Sequence, residues 1–152
     1  AHRGDIPIRI CRAAAALGIR TTVVYSPDDA TSLHTRRGDE AVALTGAGAA
    51  AYLDIAQLVR VAKDAGCDAV HPGYGFLSEN ALFARACADA GLNFVGPGPI
   101  TLELFGDKAR ARDLARHAGV PVIDGTSDAT SNEDVRAFFD SLATGAYVLI
   151  KA

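Results

Sequence analysis

The sequence predicts an α/β fold, a doubly wound parallel β-sheet covered by helices on both faces, running into the start of a second domain. Two observations predict it. Short apolar runs rich in β-branched residues alternate with amphipathic helical patterns of about a dozen residues, the pattern of a parallel sheet with crossover helices. A shaped strand-to-helix turn, His71-Pro72-Gly73-Tyr74-Gly75-Phe76-Leu77-Ser78-Glu79-Asn80, sits where open α/β sheets bind ligands.

The first helix is predicted to begin near Asp5, whose carboxylate suits a helix N-terminus, with Pro7 tolerated in the first turn. Ile6, Ile10, Ala13, Ala14 and Leu17 mark one face, and Gly18 ends it. Residues 21–25 read as a buried strand closed by Ser26-Pro27-Asp28-Asp29, and residues 32–37 as a short helical turn. A third extended piece covers residues 40–44, and the Gly/Ala-rich stretch 45–51 reads as a loop without catalytic groups. Asp54 starts a second long helix with Ile55, Leu58, Val59 and Ala62 inward and Gly66 past its end.

Residues 69–71 form the strand before the central turn. Pro72 pushes His71 towards an extended conformation, and Gly73 and Gly75 allow positive φ or a close approach of backbone to ligand. Neither G-x-G-x-x-G nor a P-loop pattern occurs there. Glu79 and Asn80 are expected to cap a helix to Ala90 with Phe83, Ala86 and Cys87 on one side. Residues 93–95 are another short strand. Two helices follow, residues 100–105 and 108–118, parted by Gly106-Asp107 with Asp107 a good N-cap. Ser131-Asn132-Glu133-Asp134 resembles a capping box, and residues 147–151 read as a final strand.

Composition sets bounds. Among 152 residues 49% are apolar and 22% charged, ordinary for a globular chain with a real core. A formal charge of −3 gives no case for nucleic acid or an anionic membrane surface. No run approaches the ~18 apolar residues a membrane helix requires, Ala1-His2-Arg3-Gly4-Asp5 does not read as a signal peptide, and the cytoplasm is the expected compartment. Cys11, Cys67 and Cys87 form no metal-ligand spacing and are expected to be small buried hydrophobes. His2, His34 and His117 have no clustered partners and read as surface or satisfied histidines, and His71 as a structural turn residue.

As a string, HPGYGFLSEN resembles the signature of biotin carboxylases, the ATP-grasp components of biotin-dependent carboxylases. Arg3-Gly4-Asp5-Ile6, Phe94-Val95-Gly96-Pro97, Phe105-Gly106-Asp107-Lys108, Ala118-Gly119-Val120-Pro121-Val122 and Ile150-Lys151-Ala152 resemble further family motifs in the family's order. The resemblance covers the whole chain. It implies a Rossmann-like pre-ATP-grasp domain over residues 1–106 and the beginning of an ATP-grasp domain over 107–152. A first, central strand would end at Ala1, and the family's glycine-rich ATP loop would begin where the chain stops, so an N-terminal piece too short for activity alone is expected.

The implied parent enzyme uses ATP, magnesium (or manganese) and bicarbonate, activated as carboxyphosphate, to carboxylate biotin on a carrier domain. A carboxyltransferase subunit or domain then passes the carboxyl group to an acyl-CoA, pyruvate or urea, and the parent is a homo-oligomer. Lys108 and Lys151 match the family's ATP lysines, and Tyr74 and Gly75 match positions that contact biotin. Without the resemblance, Lys108 reads as a solvated surface lysine, Lys151 as a strand end, and Tyr74-Gly75 as turn filling. As a helix N-terminus, Lys108 and the first-turn amides are expected to converge on a phosphate. His2 replaces the usual asparagine, Asp5 glutamate and Pro7 a small residue, departures that bear on the geometry of the first turn. Arg12 matches an arginine of some family dimer interfaces, but Ala16 replaces its acidic partner. The family's metal carboxylates, bicarbonate ligands and base lie beyond Ala152, so no catalytic residue is named in this chain. The alternatives are another, carbamoyl-phosphate-synthetase-like ATP-grasp ligase, against which the tyrosine-bearing signature counts, and a catalytically silent assembly module.

Overall fold

The computed structural model describes residues 2–125 and 131–149. The chain divides into two compact units, Ala1–Glu103 and Leu104–Ala152.

The first unit is α/β with parallel strands. Helix α1 (Asp5–Ala16) begins after Gly4, whose φ of 77° only glycine adopts readily. Its buried residues are Pro7 and Cys11, with Ala14 half-buried. The inward stripe therefore follows positions 7, 11 and 14, and the expected face is corrected: Ala13 is exposed and Leu17 is 75% exposed. The small Pro7 and Cys11 side chains let α1 pack against the 3-10 turn Leu33–Arg36.

Strand β1 (Thr22–Tyr25) pairs in parallel with β2 (Glu40–Ala43), Val23 opposite Ala41 and Tyr25 opposite Ala43. The stretch read as a loop contains a helical turn, α2 (Gly48–Ala51). Three consecutive alanines have the highest helix propensity, the Gly48 N–H donates to the Asp28 carboxylate, and buried Ala51 and Tyr52 anchor the end. Helix α3 (Ile55–Asp64) is capped by Asp54, whose side chain accepts from the Gln57 N–H at 2.9 Å, a cap contributing about 1 kcal/mol. Gln57 is buried, and its Oε1 accepts from the Thr45 N–H and hydroxyl at 2.6 Å, which fixes the chain entering α2.

Strand β3 (Ala69–Val70) pairs in parallel with β4 (Asn93–Phe94). Between them, α4 (Ala81–Asp89) is capped by Asn80, which accepts from the Phe83 N–H at 3.0 Å, and it buries Phe83, Ala84 and Cys87. No ladder hydrogen bond joins β1 to β3 among the described residues, so two parallel pairs stand where one continuous sheet was expected. With two residues each, β3 and β4 offer few backbone groups to extend a ladder. The core gathers Leu44, Tyr52, Leu58, Val70, Leu77, Phe83, Cys87 and Leu92, with Val24 of β1 and Phe94 of β4 packed against it. Phe83 meets Phe94 edge to face at 5.8 Å. Cys11 and Cys87 are buried as expected, Cys67 is half-buried against the core, and all three are free thiols. Burial pushes the Cys87 thiol up, as an apolar setting disfavours thiolate.

Helix α5 (Pro99–Gly106) leads to α6 (Lys108–His117), which begins as expected at the Asp107 cap. Helix α7 (Asn132–Asp140) begins with the expected capping box: the Asp134 N–H donates to Ser131 Oγ and the Asp134 carboxylate accepts from the Ser131 N–H. The predicted final strand is corrected over residues 147–149, which form no ladder among the described residues. A strand needs a neighbour to take its backbone groups, and here Tyr147 is 97% and Leu149 80% exposed. No helix of the described residues is long and apolar enough to cross a membrane.

Candidate functional site

The turn after β3 is built on three departures from ordinary backbone within four residues. Gly73 and Gly75 have φ of 81° and 71°, and Phe76, the one non-glycine residue with positive φ among the described residues, has φ of 47°. Such a conformation costs a bulky side chain roughly 1–3 kcal/mol and persists only where surrounding structure holds it. The Gly75 carbonyl accepts from the Ser78 N–H at 2.9 Å, and the Gly73 N–H donates to His71 Nδ1 at 3.0 Å. His71 thus serves the turn, as its place before Pro72 suggested, and burial lowers its pKa.

This geometry turns Tyr74 outward: it is 78% exposed. A Cβ at Gly75 would meet nothing within 4 Å. The two sequence-predicted biotin positions therefore stand side by side, an available aromatic ring next to open backbone, directly after β3.

What holds the turn was not legible in its own residues. Phe76 stacks on Tyr52, ring centroids 5.7 Å apart and planes 15° from parallel. Tyr52 is fully buried; its hydroxyl donates to Asp29 Oδ2 at 2.8 Å and accepts from the Ser26 N–H at 3.0 Å. The Asp29 carboxylate also accepts from Ser26 Oγ and Ser32 Oγ and pairs with Arg3 at 3.5 Å. The Arg3 guanidinium lies 5.9 Å from the centres of both the Tyr52 and Phe76 rings. Burial pushes the Asp29 carboxyl up, but the Tyr52 hydroxyl, the Arg3 charge and the Ser26 hydroxyl outweigh it and hold the group below the ordinary carboxylate range.

His2 completes the arrangement. Its Nε2 donates to the Tyr74 carbonyl, its Nδ1 accepts from the Arg3 N–H at 2.9 Å, and its ring lies 4.7 Å from Phe76. The segments after β1 (Ser26, Asp29) and after β3 (Tyr74, Phe76) thus meet through Tyr52, Arg3 and His2. His2 was read as a surface or satisfied histidine, and it is satisfied. His34 is buried rather than on the surface: its Nε2 donates to the Val24 carbonyl at 3.3 Å, while Nδ1 has no partner. His117 Nδ1 bonds the Asp113 carbonyl at 2.7 Å. The missed signal was Tyr52 itself, an aromatic closing a Gly/Ala run just before the Asp54 cap, with Arg3 and Asp29 as charges flanking apolar segments.

In the second unit, Lys108 is exposed at the first position of α6 and pairs with no carboxylate among the described residues. The expected convergence of first-turn amides is altered, because Asp107 Oδ1 already accepts from the Ala109 and Arg110 N–H groups at 2.9 and 3.1 Å. The ammonium, rather than the helix end, is left to meet an anion. Lys151 lies outside the described residues. An open groove of about 640 Å³ runs beside α7 between Val135, Phe139 and Tyr147, and includes neither Lys108 nor any residue of the Tyr74 turn. No group of three or more His, Cys, Asp or Glu side chains among the described residues could hold a metal ion.

Comparison with known proteins gives these observations a family context. Residues 1–102 match the family model described as the biotin carboxylase N-terminal domain. Mitochondrial pyruvate carboxylase of Mus musculus is 53% identical over 135 residues, which cover 87% of this chain and 11% of that protein. The solved biotin carboxylase domain of a single-chain bacterial carboxylase is 64% identical with a TM-score of 0.88, covering 92% of this chain and 33% of that one. The biotin carboxylase domain dimer of Hydrogenobacter thermophilus 2-oxoglutarate carboxylase, solved with magnesium ADP, ADP and bicarbonate, is 36% identical with a TM-score of 0.89, covering 93% and 32%. The chain spans about a tenth of the first relative and a third of the two solved chains.

Proposed function

The chain belongs to the biotin carboxylase N-terminal domain family, and from that membership we propose that it supplies the biotin-facing turn and the first phosphate-binding lysine of an ATP-dependent biotin carboxylase. The observation that carries this reading is the turn after β3, with Tyr74 78% exposed and no side chain at Gly75 to keep a ligand from the backbone. A flat, neutral ureido ring such as biotin's suits an aromatic face beside a bare peptide.

Residues 1–106, with their two parallel strand pairs, are assigned to a pre-ATP-grasp domain, and residues 107–152 to the opening of an ATP-grasp domain. Lys108 and Lys151 would hold ATP phosphates, offsetting their charge with compact, hydrated ammonium groups. ATP supplies the phosphoryl group that activates bicarbonate. Magnesium ligands are not assigned to the described residues, which hold no suitable cluster. Biotin would arrive on a carrier domain, with a carboxyltransferase taking the product, in a homo-oligomeric parent.

Steady-state kinetics of the full-length protein with free biotin test this. Tyr74→Ala is expected to raise the biotin KM by up to about tenfold, the scale of one aromatic contact, with the ATP KM unchanged. An unchanged biotin KM would overturn the assignment of the turn.

A further inference from the structure

We infer that His2 and Arg3 are positioning residues that clamp the Tyr74–Phe76 turn in its ligand-ready shape, with Asp29 and Tyr52 as their anchor. The inference rests on the proposed role of that turn in contacting biotin.

His2 touches three residues of the turn at once. Its Nε2 donates to the Tyr74 carbonyl, its ring packs on Phe76 at 4.7 Å, and it lies so close over Gly73 that a Cβ there would sit 2.6 Å from His2 Cβ. A carbonyl only accepts, so Nε2 donates to Tyr74, while Nδ1 lies 2.9 Å from the Arg3 N–H and 2.7 Å from the Arg3 carbonyl and ties the ring to its neighbour's backbone. Arg3 carries the fixation onward to the Asp29 carboxylate and lies beside the Tyr52–Phe76 stack, 5.9 Å from both ring centres. The Phe76 ring is thereby held by Tyr52, His2 and Arg3, which is the support its positive φ requires. Tyr74 gains a fixed carbonyl while its side chain remains outside the clamp, so the contact residue is positioned without being covered.

The role separates from mere stability because the clamp acts on one turn. In His2→Ala, hydrogen exchange of the Gly73 and Ser78 amides, which bond within the turn, should speed up by about tenfold, the effect of one lost hydrogen bond. The α3 and α4 amides should keep their wild-type rates. In the full-length protein the same variant should raise the biotin KM by a similar factor, leaving the ATP KM unchanged. His2→Gln, whose amide nitrogen can reach the Tyr74 carbonyl, should recover most of both effects. Unchanged exchange in the turn, or an equal rise throughout α3 and α4, would overturn the clamp. Faster exchange in the turn with an unchanged biotin KM would uphold the clamp and overturn the biotin assignment.

Discussion

The Tyr52 ring lies nearly parallel to that of Phe76, 15° apart with centroids at 5.7 Å, and so ties the helical turn after β2 to the turn after β3. The stack is oriented from behind by the Tyr52 hydroxyl, which bridges the Ser26 N–H and the Asp29 carboxylate.

Tyr52→Phe keeps the stack and removes the bridge. Ser26 is fully buried, so its N–H is left without its acceptor, and Asp29 loses its shortest hydrogen bond. The variant is expected to lose about 1–3 kcal/mol in chemical denaturation, the penalty for a buried unpaired polar group. A loss below about 0.5 kcal/mol would show that water or another group replaces the hydroxyl.

Gly73→Ala and Gly75→Ala should differ although their φ values, 81° and 71°, are similar. At Gly75 nothing lies within 4 Å of an added Cβ, so only the left-handed backbone is penalised, by roughly 1–2 kcal/mol. At Gly73 the same Cβ would overlap His2 at 2.6 Å, adding a steric cost. Denaturation curves should place Gly73→Ala well below Gly75→Ala. Equal stabilities would mean that His2 does not pack over the turn.

His34 should make stability fall in mild acid. Burial is the largest cause lowering its pKa; the Val24 carbonyl and Asp29 oppose this, and His2 adds to it. The folded state therefore favours the neutral ring, with Nδ1 facing no acceptor that could receive a proton. Its contribution is complete above the unfolded value near 6.5 and is lost as pH falls from there through the lower folded value. His71 shifts in the same direction and adds to the slope, whereas Asp29, also lowered, acts near and below 3.8. His34→Gln is expected to flatten stability between about pH 7 and 5, read from denaturation midpoints. A slope equal to wild type would exclude His34 as its source.

The parts legible in the sequence were the local ones. Asp54, Asn80, Asp107 and Ser131 cap the helices they were expected to cap, because a cap is decided within about three residues. The shape of the Tyr74 turn followed from its own glycines. The clamp was not legible, because Tyr52 meets Asp29 across 23 residues and His2 meets Tyr74 across 72. Helix α2 was hidden because Gly48 lowers the propensity of a run that buried Ala51 and Tyr52 then stabilise through tertiary contacts.

Lys108 is exposed, so Lys108→Ala should leave the fold intact. In the full-length protein it is expected to weaken ATP binding by roughly ten- to hundredfold, the ~1.5–3 kcal/mol of a charged hydrogen bond. The 152-residue chain by itself should bind magnesium-ATP no better than about millimolar, since two such lysines barely offset the ~4–15 kcal/mol of lost ligand freedom. Calorimetry checks both. An unchanged affinity in the variant would exclude Lys108 as a phosphate ligand, and a micromolar dissociation constant for the chain would reveal a further site.

The most direct measurement is the transfer of isotopic carbon from labelled bicarbonate to free biotin by the full-length protein with magnesium-ATP. The account predicts ATP-dependent label in biotin, with the rate at low biotin reduced by Tyr74→Ala. Absence of label from biotin, alongside ATP cleavage indifferent to both biotin and bicarbonate, would contradict it.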